Sequence, residues 1–120
     1  MANFDKDVLS DLRERKEVSI RTDKHPGTAV TIWVVVAGGD VFVRSFLGPK
    51  GRWYRDLASG GSATLEFGGR RLEVRAVPAN EPDTVARVSR AFLGKYRPSS
   101  YAQAMVQPGT LPTTLRLDPH

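Results

Sequence analysis

Residues 30–46 read VTIWVVVAGGDVFVRSF, and the fold follows from how that stretch divides. Residues 30–37 are rich in β-branched side chains and carry apolar residues on both faces, as a central strand covered on two sides does. Gly38-Gly39-Asp40 stops the run with a hairpin-type connection. Residues 41–46 return antiparallel, with Val41, Val43 and Ser45 on one face and Phe42, Arg44 and Phe46 on the other. Arg44 therefore stands between bulky apolar neighbours, where a buried charge needs a partner. A ligand phosphate, Asp56 and Glu66 are the candidates for that partner.

Working outward, Phe4, Val8 and Leu12 recur every fourth residue with Leu9 beside them, which predicts an amphipathic helix over about residues 4–16. Residues 17–22 alternate as a half-buried strand with Val18 and Ile20 inward, and Lys24-His25-Pro26-Gly27 ends it with a turn. Downstream, residues 53–58 make two helical turns before Ser59-Gly60-Gly61 breaks them. Residues 63–67 and 70–77 alternate around Gly68-Gly69 as a second hairpin. Pro82 suits the first turn of a helix, with Asn80 as one possible cap. Val85, Val88, Phe92 and Tyr96 then follow at helical spacing to an end near 95–97. Pro98 separates a short helical piece around 101–105, and residues 113–117 read as a last strand.

This order predicts a mainly β fold: six or so mostly antiparallel strands curled into a split β-barrel, with an N-terminal helix and one long helix before the last strand. An open α+β sheet is the alternative. Closure is favoured because a final strand returning after the long helix pairs with an otherwise exposed edge. With 120 residues, 40% of them hydrophobic and 26% charged, the chain reads as a single domain spanning residues 1–120.

The formal charge of +5 favours anionic partners. There is no cysteine, hence no disulfide and no thiolate chemistry, and His25 and His120 are the only imidazoles, too few for a histidine-rich metal site. No metal is expected. The start has no apolar signal core, and the longest apolar run, residues 32–37, falls far short of the roughly 20 needed to cross a bilayer. A cytoplasmic protein with no membrane partner is the default expectation.

The segment that can carry chemistry is residues 44–55, RSFLGPKGRWYR: four bases and no acid, a hydroxyl, two glycines permitting close backbone approach, and a helix start near Trp53. Arginine offers forked donors to phosphate oxygens and lysine a mobile point charge. The plain alternative is a solvated basic loop anchored in the core by Trp53. Trp53 and Tyr54 either stack on a ligand ring or pack, and packing is favoured by the area an aromatic buries. Tyr96 continues its helix's apolar stripe and belongs to the core, while Tyr101 is a pocket candidate. His25 reads as an exposed turn residue. Arg71, Glu73 and Arg75 share a strand face and read as a solvated surface, with cross-strand pairing to Glu66, rather than a nucleic-acid stripe.

The run VFVRSFLGPKGRWYRD of residues 41–56 resembles the flavin-binding split barrels related to pyridoxamine 5'-phosphate oxidase and the deazaflavin-dependent nitroreductases, and more narrowly an uncharacterised branch of them. The resemblance covers residues 18–77, the helix after them and Lys95-Tyr96. It implies that residues 30–33, Thr31 and Trp33 among them, face the cofactor ring. It further implies that Arg44 and Ser45 reach the ribityl-phosphate part, that Lys50 and Arg52 neutralise the phosphate, and that Trp53 stands beside them. The implied cofactor is FMN or a deazaflavin. The implied protein is a homodimeric oxidoreductase acting on an unidentified small molecule, in which the cofactor performs the redox step and no side chain need act as a catalytic acid or base. The alternative is a non-catalytic module that binds a phosphorylated small molecule; nucleic-acid binding ranks last.

Overall fold

The structure, a computed structural model, describes residues 4–120. Three α-helices, α1 (Lys6–Glu14), α2 (Arg52–Leu57) and α3 (Pro82–Lys95), accompany seven strands. These are β1 (Val18–Thr22), β2 (Val30–Ile32), β3 (Val35–Ala37), β4 (Asp40–Val43), β5 (Gly61–Phe67), β6 (Arg70–Pro78) and β7 (Leu115–Pro119). Short 3₁₀ turns occupy Gly48–Lys50, Ala102–Val106 and Leu111–Thr113. The predicted elements are all present, with three departures: the single strand expected over residues 30–37 is two, the strand expected over residues 41–46 ends at Val43 so that Arg44 lies just beyond it, and the last strand begins at Leu115 rather than 113.

The division of residues 30–37 closes the fold. The strands form one sheet in the order β2-β1-β5-β6-β7-β4-β3, and every pairing is antiparallel. β2 and β3 lie at opposite edges, yet only Trp33 and Val34 separate them in the chain. Two residues span such a gap only if the sheet curls until its edges approach, so the sheet is a half-barrel whose seam is the Trp33-Val34 step. The run at 30–37 is therefore an edge-to-edge bridge, not the central strand its composition suggested. Its apolar residues on two faces have a different cause, described next.

Alternation persists through the seam. Ile32, Val34 and Val36 join Val41 and Val43 against the inner core, which also takes Val18, Ile20, Leu65, Val74, Leu115 and Leu117 from the other strands. Val35, Ala37 and Phe42 face outward into a second cluster with Val88, Phe92 and Tyr96 of the α3 region and with Ala102 and Met105. One face is thus buried by the barrel and the other by α3. The β3–β4 hairpin registers Ala37 opposite Asp40, and the two residues between them, Gly38 and Gly39, have φ of 60° and 84°, left-handed values that favour glycine.

β7 pairs with β6 on one side and β4 on the other, so the strand returning after α3 does cover an edge, as predicted. α1 lays Val8, Leu9 and Leu12 on the inner core through its i, i+4 spacing. α3 begins with Pro82 in its first turn after Glu81, and neither Asn80 nor Glu81 caps it with a side-chain hydrogen bond. No helix among the described residues is long and apolar enough to cross a membrane.

The seam is fastened from α3. The Tyr96 hydroxyl accepts the Val34 N–H at 3.1 Å and lies 2.6 Å from the Lys16 carbonyl, to which it donates. Lys95 Nζ donates to the carbonyls of Val34 and Leu12, both at 2.7 Å. A bridge leaving one edge before reaching the other lacks ladder partners, and these side chains supply them.

Candidate functional site

Arg44 and Ser45 follow β4 directly: Arg44 turns to α3, and Ser45 is buried against the Gly48–Gly51 loop. Arg44 is 1% exposed, and among the described residues no carboxylate forms an ion pair with its guanidinium. Nε donates to Thr114 Oγ1 at 2.8 Å, one terminal nitrogen to Ser89 Oγ at 2.9 Å and the Met105 carbonyl at 3.0 Å, and the other to the Val85 carbonyl at 2.9 Å. The Phe92 ring lies 5.5 Å from its central carbon. Four of roughly five available N–H groups are therefore spent on the protein itself. Burial without a counter-charge lowers its pKa to about 10. Arg44 acts as a clamp joining the end of β4 to α3, the 102–106 turn and the start of β7.

Neither carboxylate considered as its partner pairs with it. Asp56 accepts Thr22 Oγ1 and His25 Nδ1, both at 2.6 Å. Burial pushes that carboxyl up, but the hydrogen bonds from Thr22 and His25 and the charges of His25 and Lys24 outweigh it and hold the pKa below the ordinary value. Glu66 accepts Arg21 Nε at 2.8 Å, with Arg71 Nε 3.6 Å away across the strands.

Beside this clamp opens a cavity of about 690 Å³, within the range of small-molecule and cofactor sites. Thr31, Trp33, Arg44, Ser45, Arg52 and Trp53 all line it, so six of the seven residues singled out in the sequence converge on one space. Lys50 does not line it: it ends the 3₁₀ turn, exposed. Trp53, 9% exposed, belongs to the inner core as well as to the cavity wall, so packing and site are not exclusive there.

Ser45 is the unusual member. Its backbone N–H donates to Thr113 Oγ1 at 3.0 Å, which fixes the residue, but its buried hydroxyl has no hydrogen-bond partner among the described residues. A Cβ built on Gly51 would come within 2.5 Å of that oxygen, so a side chain there would have to displace the hydroxyl over which the loop closes. Gly51 is also the residue before α2, whose first turn holds no acid. Among the described residues no carboxylate forms an ion pair with Lys50 or Arg52.

The rim is apolar and open. Phe46, Leu47 and Tyr101 are 52%, 69% and 63% exposed, and all three line the cavity, with the Phe46 and Tyr101 rings edge to face at 6.1 Å. Glu17, also on the wall, was not singled out in the sequence, nor was Leu47. The orphan state of Ser45 and the clamping threonines, Thr113 and Thr114, depend on contacts across about 70 residues of chain and leave no local signal. No group of three or more metal-ligating side chains occurs among the described residues.

The half-barrel is similar to the crystal structure of the conserved hypothetical protein Rv2991 from Mycobacterium tuberculosis, with a TM-score of 0.63 over 97% of this chain and 79% of that one. Sequence identity is 12%, so the likeness is one of fold alone. No curated protein matches the chain. Residues 8–117 match the family described as an uncharacterized protein conserved in bacteria, DUF2255; they take in the half-barrel, the Arg44 clamp and the whole cavity wall, and the chain belongs to that family.

Proposed function

We propose that the cavity binds a flavin-type cofactor, FMN or a deazaflavin, with its phosphate held by Ser45 and Arg52 and its ring against Thr31 and Trp33. The observation that carries this reading is the Ser45 hydroxyl: buried, unpartnered and on the wall of a cavity. An orphaned buried hydroxyl costs about 1–3 kcal/mol, a cost removed when a ligand oxygen engages it. A phosphate oxygen suits it, because the surrounding segment is basic and free of acids, and the glycine lying over the hydroxyl has no side chain to hold the loop shut.

The chain's own residues would bind and orient. Arg52 supplies exposed positive charge at the rim, Trp33 and Trp53 supply aromatic wall, and Arg44 holds Ser45 in place rather than spending its donors on the ligand. Bound there, a flavin-type group supplies hydride or electron transfer, and the protein supplies position and electrostatics. The exposed apolar rim of Phe46, Leu47 and Tyr101 supports a second copy of the chain seated over the cavity mouth, a homodimer of the split-barrel kind. The substrate would be a small molecule reaching the ring beside that rim.

Reconstitution tests the reading. Added FMN or deazaflavin is expected to perturb the cofactor's absorbance and to quench the protein's fluorescence, since both tryptophans of the chain, Trp33 and Trp53, line the cavity. No spectral change with either class would leave a phosphate-binding module without redox function, or no ligand at all.

A further inference from the structure

The largest unused chemistry in the molecule is an amine. Lys95, at the end of α3, is the least exposed of the five lysines; Lys6, Lys16, Lys24 and Lys50 are all exposed. Its Nζ is held by two backbone carbonyls and no carboxylate, and it lines a second cavity of about 570 Å³ with Arg13, Glu14, Lys16, Tyr96 and Tyr101 among the wall residues. The two cavities share Tyr101.

We propose that Lys95 is a second reactive site, an amine that forms a reversible imine with small anionic aldehydes entering this cavity. Three features of geometry carry it. The two carbonyls fix two N–H directions, and a neutral amine has two N–H groups, so losing the third proton breaks neither bond and leaves the lone pair uncommitted. Arg13 and Lys16 on the same wall draw and hold an anion, against the single acid Glu14. Lys95 is half-buried, and withdrawing the ammonium from bulk water is the usual way a lysine nucleophile is activated. Consistent with this, burial lowers the Lys95 pKa to about 8.

The step balances without an oxidant or reductant. The amine nitrogen adds to the aldehyde carbon, the C=O bond is replaced by C=N, and the oxygen leaves as water with the two protons formerly on nitrogen. Proton uptake gives an iminium with one N–H, enough for one of the two carbonyls. The other, at Val34, has the Tyr96 hydroxyl 3.1 Å away as an alternative donor.

Glyoxylate, the smallest aldehyde bearing a carboxylate, is the probe, with cyanoborohydride to trap the imine and mass spectrometry to map the modified lysines on the full chain. An ordinary lysine is about 100-fold less deprotonated than one of pKa near 8, and lowered basicity takes back part of that gain. Lys95 is therefore expected to react about tenfold faster near neutral pH than Lys6, Lys24 or Lys50. Arg13→Ala should slow Lys95 several-fold with glyoxylate but not with uncharged acetaldehyde, and leave Lys24 unchanged. Reaction of Lys95 at or below the rate of the exposed lysines overturns the proposal, as does an unchanged Lys95 rate in Arg13→Ala. The mapping is made on the unaltered protein, so it needs no substitution of Lys95 to fold.

Discussion

The indole of Trp33 lies flat on the ring of Tyr96, centroids 3.9 Å apart and planes within 2° of parallel. One partner is the residue on which the sheet turns from edge to edge; the other comes from α3 and hydrogen-bonds the next peptide. Trp33 also lines the cavity, so the stack that fastens the seam stands directly behind the wall on which a ligand would rest.

Tyr96→Phe keeps the stack and removes the hydroxyl, leaving the Val34 N–H and the Lys16 carbonyl without this partner. A loss of about 1–3 kcal/mol is expected from urea unfolding, with the slope of the transition unchanged. A variant as stable as the parent would show that the seam does not depend on this hydroxyl.

The seam also gives stability a characteristic pH dependence. Lys95 has a folded pKa lowered to about 8, so between about pH 8 and its ordinary 10.5 the unfolded chain binds more protons and stability rises with pH. Burial raises Tyr96 to about 12 from its ordinary 10.0, so above pH 10 the unfolded chain binds fewer protons at this group and its contribution to stability falls. Thermal unfolding midpoints should therefore climb from pH 8 to near 10, and level off above that, where the loss from Tyr96 is opposed by Arg44, whose pKa burial lowers to about 10. Lys95→Met should remove the climb, and a midpoint that falls steadily from pH 8 in the parent would contradict this account.

Gly51→Ala sets a Cβ 2.5 Å from Ser45 Oγ but only 3.7 Å from Ser45 Cβ. The Gly51 backbone, at φ −61° and ψ 129°, suits alanine, so the cost is steric alone. The single change should destabilise by about 1–3 kcal/mol, and adding Ser45→Ala should recover most of it. Strict additivity in that double-mutant cycle would mean the two residues do not touch. Ser45→Ala alone should leave stability level or slightly raised, because it deletes a buried hydroxyl that has no partner.

Arg44→Lys retains charge but cannot reproduce a fork that meets Thr114, Ser89, Val85 and Met105 at once. A stability loss of about 2–4 kcal/mol by denaturant unfolding is expected. Unchanged stability would remove Arg44 from its structural role and return its donors to the ligand.

Much of this was legible in the chain. Alternation and glycine pairs located both hairpins, and the 85, 88, 92 and 96 spacing located α3 and the stripe that covers β3 and β4. Of the faces read for residues 41–46, those of Val41, Phe42 and Val43 hold, and Arg44 follows Phe42 to the α3 side, but the strand ends before Ser45 and Phe46. What the chain concealed was non-local. Residues 30–37 alternate without a break, and nothing in them marks the point where one edge of the sheet is exchanged for the other. That point is set by sheet curvature and by Tyr96 and Lys95, some 60 residues away. The same holds for Arg44, whose partners are neutral oxygens from three distant segments where a charge had been sought.

The central claim is that the cavity recognises a phosphate on a flavin-type ring. Its most direct test is a fluorescence titration of the parent protein and of Ser45→Ala and Arg52→Ala with FMN, with riboflavin as the same ring lacking phosphate, and with a phosphate-bearing deazaflavin. The account predicts that at least one of the phosphorylated cofactors binds, that any preference for FMN over riboflavin is about tenfold or more, and that each substitution weakens the phosphorylated ligand while leaving riboflavin nearly unchanged. Absence of binding by both phosphorylated cofactors, or affinities indifferent to both Ser45 and Arg52, would contradict it.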